Sequence, residues 1–296
     1  MGRAVRDRGS KPKNHTVKVA VTGATGFIGR HVLAELEARS IETIALVRHP
    51  TAALDGLSRC KTFQLDLHMT PSNAFELMGS PDALIHLAWA GLPNYQSLHH
   101  FEQELPAHYR FLKNLIKSGL QSLIVAGTCL EYGMRSGPMS EDMEPQPGTP
   151  YGFAKDTLRR QLGFLNAFHP FQLTWARLFY LYGEGQAKSS LFPQLRAAVE
   201  RGDEVFNMSG GEQLRDYLPV TEVAELLVAL TLRNEGSGIV NLCSGNPVSV
   251  RQLVEGWIKE YNWSISLNLG HYPYPDYEPM AFWGAREKLD SLLEPK

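Results

Sequence analysis

Cysteine is scarce in this chain. The three present, Cys60, Cys129 and Cys243, are odd in number and far apart. That excludes a disulfide framework and any Cys-x-x-Cys metal or redox pair, and it points to a reducing, cytoplasmic setting. Charge of one sign is wanting too: 29 basic residues face 31 acidic ones, for a formal net charge of −2. Nothing in that balance attracts nucleic acid or an anionic membrane. No apolar run is long enough to span a bilayer. His99, His100 and His108 share one amphipathic segment but have no metal-ligand spacing, so they read as surface residues and no metal site is assigned. His86, inside an apolar strand, reads as a core histidine. Behind Arg3, Arg6, Arg8, Lys11 and Lys13 there is no apolar stretch either. Met1 to Thr16 is therefore read as a disordered basic tail and not as a secretory signal.

What is present begins at Val17. Val17 to Thr22 is a short valine-rich run that reads as a buried strand. Gly23-Ala24-Thr25-Gly26-Phe27-Ile28-Gly29 follows, and then a helical pattern through Ala38. Strand, glycine turn and helix form the context of a dinucleotide site: glycines let the backbone approach a pyrophosphate on the helix N-terminus. The second strand, Glu42 to Val47, ends at Arg48-His49 and lacks an acid there. An acid would bond a ribose 2′-hydroxyl, whereas an arginine accommodates a 2′-phosphate, so NADP(H) is expected over NAD(H). A third strand spans Lys61 to Asp66. Asp66 can bond an adenine amine or cap a helix beginning near Pro71. The fourth strand, Ala83 to Leu87, runs into Ala88-Trp89-Ala90-Gly91, where small residues admit a cofactor and Trp89 can pack on cofactor or substrate. Strands alternating with helices predict an α/β fold around a doubly wound parallel sheet.

The fifth strand, Leu120 to Ala126, leads to Gly127-Thr128. A hydroxyl at that end of a parallel strand points into the ligand crevice, or else caps a turn. Tyr151 and Lys155 stand four residues apart on the next helix, on one face, one turn apart. A nearby ammonium favours the phenolate, which would let this phenol exchange a proton near neutral pH. The helix is expected to run to about Phe168, with a sixth strand over Phe171 to Leu178. Met280 to Leu293 reads as a closing helix.

In combination these segments resemble the extended short-chain dehydrogenase/reductase family, in its nucleotide-sugar epimerase, dehydratase and reductase branch. The resemblance rests on TGATGFIGRH (Thr22 to His31), DL (Asp66-Leu67), HLAW (His86 to Trp89), GTCLEYG (Gly127 to Gly133) and PYGFAK (Pro150 to Lys155). RLFYLYGEGQ (Arg177 to Gln186), GEQLRDYLPVTEVA (Gly211 to Ala224) and NLCSGNPVSV (Asn241 to Val250) follow in family order. It implies a Rossmann cofactor domain over 17–180 and a smaller C-terminal substrate-binding α/β region over 181–296, interleaved with the first. It implies Tyr151 as general acid/base, Lys155 lowering its pKa and holding the nicotinamide ribose, and Thr128 bonding the substrate oxygen. The cofactor surface would comprise Gly23, Thr25, Gly26, Phe27, Ile28, Gly29, Arg48, His49, Asp66, Leu67, Leu87, Ala88, Trp89 and Leu178, with Tyr151 and Lys155. Trp89, Thr128, Tyr180 and Arg215 would contact substrate, Arg215 through a diphosphate or, alternatively, by pairing with Asp216 or Glu212.

The resemblance also sorts the chemistries. Dehydratase relatives carry an Asp-Glu pair after the threonine, and here those positions are Cys129 and Leu130; Glu131 is displaced by one. An epimerase of this kind commonly has an acid after the second strand, and here Arg48 stands. The expectation is therefore an NADPH-dependent reductase of a 4-keto-6-deoxy nucleotide sugar, of the kind that serves surface polysaccharides. A nucleotide-sugar epimerase and a non-catalytic NADP-binding sensor or assembly protein are the alternatives. The Asp156 to Phe168 stretch holds apolar residues for a core or for a homodimer face.

Overall fold

Buried β-branched runs alternate with amphipathic ones through the first half of the chain, so strand and helix alternate as well. In the computed structural model, residues 17–294 are described, apart from positions 234, 275 and 277. The Met1–Thr16 tail lies outside the described residues. The first half is β1 (Lys18–Thr22), α1 (Phe27–Ala38), β2 (Glu42–Val47), β3 (Cys60–Gln64), α2 (Ala74–Leu77), β4 (Ala83–His86), α3 (Leu105–Lys117) and β5 (Ser122–Thr128). The second half opens with β6 (Gly137–Met139), α4 (Pro150–Phe168), β7 (Gln172–Leu178), β8 (Tyr180–Tyr182), α5 (Leu191–Glu200), β9 (Val205–Asn207) and β10 (Leu214–Arg215). It closes with β11 (Tyr217–Pro219), α6 (Val220–Leu232), β12 (Gly238–Leu242), β13 (Val248–Ser249), α7 (Val250–Glu260), β14 (Ser266–Asn268), β15 (Ala281–Gly284) and α8 (Glu287–Leu293).

Seven strands form one parallel sheet in the order β12-β7-β5-β4-β1-β2-β3. The expected α/β architecture is thus present. Side chains alternate across the sheet with the two-residue period of a strand. Val19 and Val21 face one apolar layer with Val32, Leu36 and Leu227, while Ala20 faces another with Phe111, Leu158 and Trp175. Winding changes direction between β1 and β4, and a crevice opens there at the strand C-termini. The last central strand, β12, comes from the second half of the chain, so the two halves share the sheet.

A smaller four-stranded sheet, β13-β10-β15-β6, lies beside the large one. Its β15 corrects the expectation of one closing helix over Met280 to Leu293. Phe282 is buried against Tyr132 and Phe179, so Ala281–Gly284 is drawn into a strand and only Glu287–Leu293 is helical. The fifth strand also runs two residues beyond Ala126. Its pairing with β7 continues through Thr128↔Leu178, which puts Thr128 at the strand's last position.

Candidate active site

The open part of the crevice is a cavity of about 420 Å³. Gly23, Thr25, Gly26, Phe27, Ile28 and Gly29 form one wall, and Arg48, Asp66 and Leu67 lie towards one end. Leu87, Ala88, Trp89, Glu104 and His108 line the cavity as well. A Cβ on Gly29 would stand 2.1 Å from the Gly23 carbonyl oxygen, so the turn closes only with glycine there. Helix α1 starts from Gly26 with no side-chain cap and no acid in its first turn, which leaves a positive helix end facing the cavity. These features fit the pyrophosphate of a dinucleotide. Asp66 lines the cavity and also caps the short turn Leu67–Met69, its Oδ1 accepting from the His68 amide at 2.9 Å; the regular helix does not begin until Ala74. His49 and Leu178 were expected on this surface, but neither lines the cavity. His49 is exposed and Leu178 is buried in the sheet core.

Thr128, Tyr151 and Lys155 lie together beyond Trp89, and all three are buried. Helix α4 brings them there. Thr149 caps it, accepting from the Gly152 amide at 3.1 Å, and Pro150 opens its first turn. Gly152 lets the helix approach the turn after β5: a Cβ there would stand 2.7 Å from the Leu130 carbonyl oxygen. Tyr151 thereby comes beside Thr128, which pulls the phenol's pKa down. Its ring also meets Tyr95 at 5.6 Å, His100 at 5.2 Å and Trp89 at 6.1 Å between centroids.

One electrostatic expectation is corrected. Burial pushes the Tyr151 phenol above its ordinary range, and Tyr95, Glu131 and Cys129 push the same way, while Thr128 opposes. The Lys155 ammonium lies 4.3 Å above the Trp89 ring and 5.6 Å from Trp175. Burial lowers its pKa to about 8, against the pull of Glu131 and Glu104.

The histidines supply a second correction. His100 and His108 are buried, not on the surface, and His99 is partly covered. A wide π-type turn over His100–Glu104 carries His100, and α3 directly after it carries His108. Glu104, which the sequence did not single out, sits among them. Its Oε2 lies 3.1 Å from His108 Nε2, and its Oε1 lies 3.1 Å from both His68 and His99. Burial works against its charge, but hydrogen bonds from His108 and the Ala90 amide win and hold it at about 2. His108 continues to His86 at 2.7 Å, and His86 to Thr22 at 2.9 Å. The signal available was an acid four residues before a histidine on an otherwise apolar helix face.

Glu131 lies behind this site, bonded to the backbone of Thr128. It is fully buried, accepting from the Thr128 amide and Trp175 Nε1 at 2.9 Å each and from Arg177 Nε at 2.8 Å. Arg215 is buried as well. It donates to Glu278 at 3.0 Å, and its guanidinium lies 5.4 Å from the Tyr180 ring centroid. Its ion pair is therefore with Glu278 and with neither Asp216 nor Glu212. Asp216 instead accepts from the amides of Ser244, Gly245 and Gly284. Tyr180 and Glu278 line a second, small hollow of about 40 Å³ with Leu130 and Phe282.

Residues 19–243 match the model of the NAD dependent epimerase/dehydratase family. The chain is 31% identical to dTDP-6-deoxy-L-talose 4-dehydrogenase (NAD(+)) of Aggregatibacter actinomycetemcomitans, over 91% of this chain and the whole of that protein. It is 26% identical to dTDP-4-dehydro-6-deoxyglucose reductase of Escherichia coli, over 80% of this chain and 79% of that one. Among solved structures, MoeE5 in complex with UDP-glucuronic acid and NAD superposes with a TM-score of 0.76 at 26% identity, covering 93% of this chain and 92% of that one.

Proposed function

Because the chain belongs to the NAD-dependent epimerase/dehydratase family, we propose that it reduces the C4 ketone of a nucleotide-linked 4-keto-6-deoxysugar, with NADP(H) as cofactor. Membership and relatives make it an NAD(P)-dependent oxidoreductase of nucleotide sugars. The step to C4 of a 6-deoxysugar draws on the two relatives named for dTDP-linked 6-deoxysugars.

The carrying observation is the buried trio at the end of the cleft. Thr128 and Tyr151 lie side by side, close enough for the threonine to act on the phenol's pKa, so both hydroxyls can converge on one carbonyl oxygen. A bound nicotinamide supplies the hydride. The chain's residues manage the oxygen: Thr128 orients it, and Tyr151 gives it a proton as negative charge develops. A phenol whose pKa is raised by burial is protonated at neutral pH, which suits it to the acid role required for reduction. Lys155, the cation beside it, would hold the nicotinamide ribose. Glu131 is bonded to Arg177, Trp175 and a backbone amide, so its carboxylate is not free to act in an elimination.

Arg48, on the cavity wall, supports the 2′-phosphate of NADP(H), whereas the Aggregatibacter relative is named for NAD(+). The ratio of kcat/KM with the two cofactors decides it, and a clear preference for NAD(H) would remove the claim. Arg215, bonded to Glu278 through Nη2, would meet a substrate diphosphate with its remaining N–H groups. Phe153, Phe164 and Phe168 are exposed on α4 and support a homodimer through that helix, which light scattering after gel filtration would register. The main reading is tested with dTDP-, GDP-, CDP- and UDP-linked 4-keto-6-deoxysugars. One of them should drive NADPH oxidation in the wild type and much less in Tyr151→Phe. Inversion of a sugar centre without net cofactor consumption would point to an epimerase instead.

A further inference from the structure

The loop after β4 is pinned at both ends. Thr22 Oγ1 accepts from the Leu87 and Ala88 amides at 3.1 and 3.2 Å. Glu104 Oε2 accepts from the Ala90 amide at 2.9 Å. Between these anchors stands Trp89. It stacks on His108, centroids 4.7 Å apart, and donates from Nε1 to His100 Nδ1 at 3.1 Å. Lys155 Nζ rests on its ring.

Hydrogen-bond accounting fixes every proton in this network. The ionised Glu104 has only lone pairs, so His108 Nε2 donates to it. A neutral His108 then offers Nδ1 as an acceptor, and His86 Nε2 donates across the 2.7 Å contact. His86 Nδ1 therefore takes the Thr22 hydroxyl proton. The Thr22 oxygen remains free to accept from the two loop amides. Burial depresses both histidines: His108 and Lys155 add to the effect at His86, while at His108 Glu104 opposes it. Neutral rings let one consistent set of protons run from Thr22 to Glu104.

We propose that Glu104 is the positioning residue for Lys155: through the Ala90 amide and His108 it fixes the Trp89 ring under the ammonium, and across that ring its carboxylate adds to the counter-charge of Glu131. The inference rests on the reading of Lys155 as the ribose-holding lysine. A cation against an indole face in a desolvated site is held by the ring's negative face. Displacing the ring would therefore move the ammonium with it. The groups facing Lys155 are Glu104 beyond Trp89, Glu131 paired with Arg177, neutral His86 and His108, and Tyr151 on its own helix. His68 and His99 face the outer oxygen of Glu104.

Two measurements on the full chain test this. Long-range ¹H–¹⁵N NMR of the cofactor-free protein should show His86 and His108 neutral and protonated at Nε2 from pH 6 to 8. A charged ring, or an Nδ1–H tautomer at either, overturns the network. NADPH and NADH are then titrated from pH 6 to 10 against wild type, Glu104→Gln, Glu104→Asp and Lys155→Met. Glutamine keeps an oxygen for His108 and Ala90 but removes the charge. In Glu104→Gln the alkaline loss of cofactor affinity should move to lower pH by roughly half a unit to one unit, with Glu104→Asp nearer wild type. An unmoved limb in Glu104→Gln, with affinity weakened in Lys155→Met, overturns this proposal alone. Wild-type affinity in Lys155→Met overturns the ribose-holding reading and this proposal with it. Should Glu104→Gln not fold, the wild-type tautomers still decide.

Discussion

The two ends of the cleft are made of different material. The end near Arg48 is open and built from backbone: a glycine turn, an uncapped helix start and small residues after a strand. The end near Tyr151 is closed and built from side chains, with three aromatic rings on the phenol and a histidine–glutamate network below them. A backbone site depends on what is absent, because a Cβ would fill it. A side-chain site depends on what is present and on where its protons lie. The first tolerates many exposed side chains around it, and the second tolerates few changes at any member.

That contrast predicts how each end should break. Tyr151→Phe should lower kcat by about 10² to 10⁴ while leaving cofactor affinity and the urea midpoint near wild type. A loss seen mainly in cofactor affinity would erase the distinction between the two ends. Glu131→Ala strands Arg177 without its buried partner and should cost about 3–5 kcal/mol in urea unfolding. Gly29→Ala should act at the open end, raising the cofactor Kd at least tenfold and costing about 1–3 kcal/mol through overpacking against Gly23.

The pH dependence separates the ends further. Lys155 titrates at about 8 when folded against an ordinary value of 10.5. The unfolded chain therefore binds more protons between those values, and stability should rise with pH across that window. Lys155→Met should flatten that rise. Glu104 has the opposite sense. Its folded value of about 2 lies below the ordinary 4.5, so its contribution is complete above about 4.5 and is lost as pH falls towards 2. Glu104→Gln should remove that acid-side slope. The smallest effect belongs to the open end: Arg48→Ala should shift the NADPH to NADH preference by about tenfold with little change in stability.

Legibility in the sequence follows the same division. The glycine turn is contiguous, and its chemistry depends on local spacing, so Gly23 to Gly29 could be placed before any coordinates. Tyr151 and Lys155 were placeable through one helical turn, and Thr128 through its strand end. What spacing did not carry is where the lysine points. Its ammonium lies on Trp89, 66 residues away in sequence, and the phenol is raised by burial under Tyr95, so the simple pairing of the two did not give the phenol's pKa. The histidines were misplaced because their partner Glu104 was not singled out: His100 sits in a π-type turn and His108 one turn beyond Glu104 on α3, both on the inner face. Glu278, which pairs with Arg215, comes from 63 residues downstream in an irregular segment, beyond the reach of any local pattern. The closing strand Ala281–Gly284 forms only because a distant apolar pocket receives Phe282.

The most direct test follows one deuterium atom. The protein is incubated with dTDP-4-dehydro-6-deoxyglucose, or with whichever keto sugar the panel selects, and with NADPH carrying deuterium at the transferable C4 position. Reduction at C4 should give a product with deuterium at sugar C4, formed in a one-to-one ratio with oxidised cofactor, and little of it with Tyr151→Phe. A product without that deuterium, or formed with no net cofactor consumed, would contradict it.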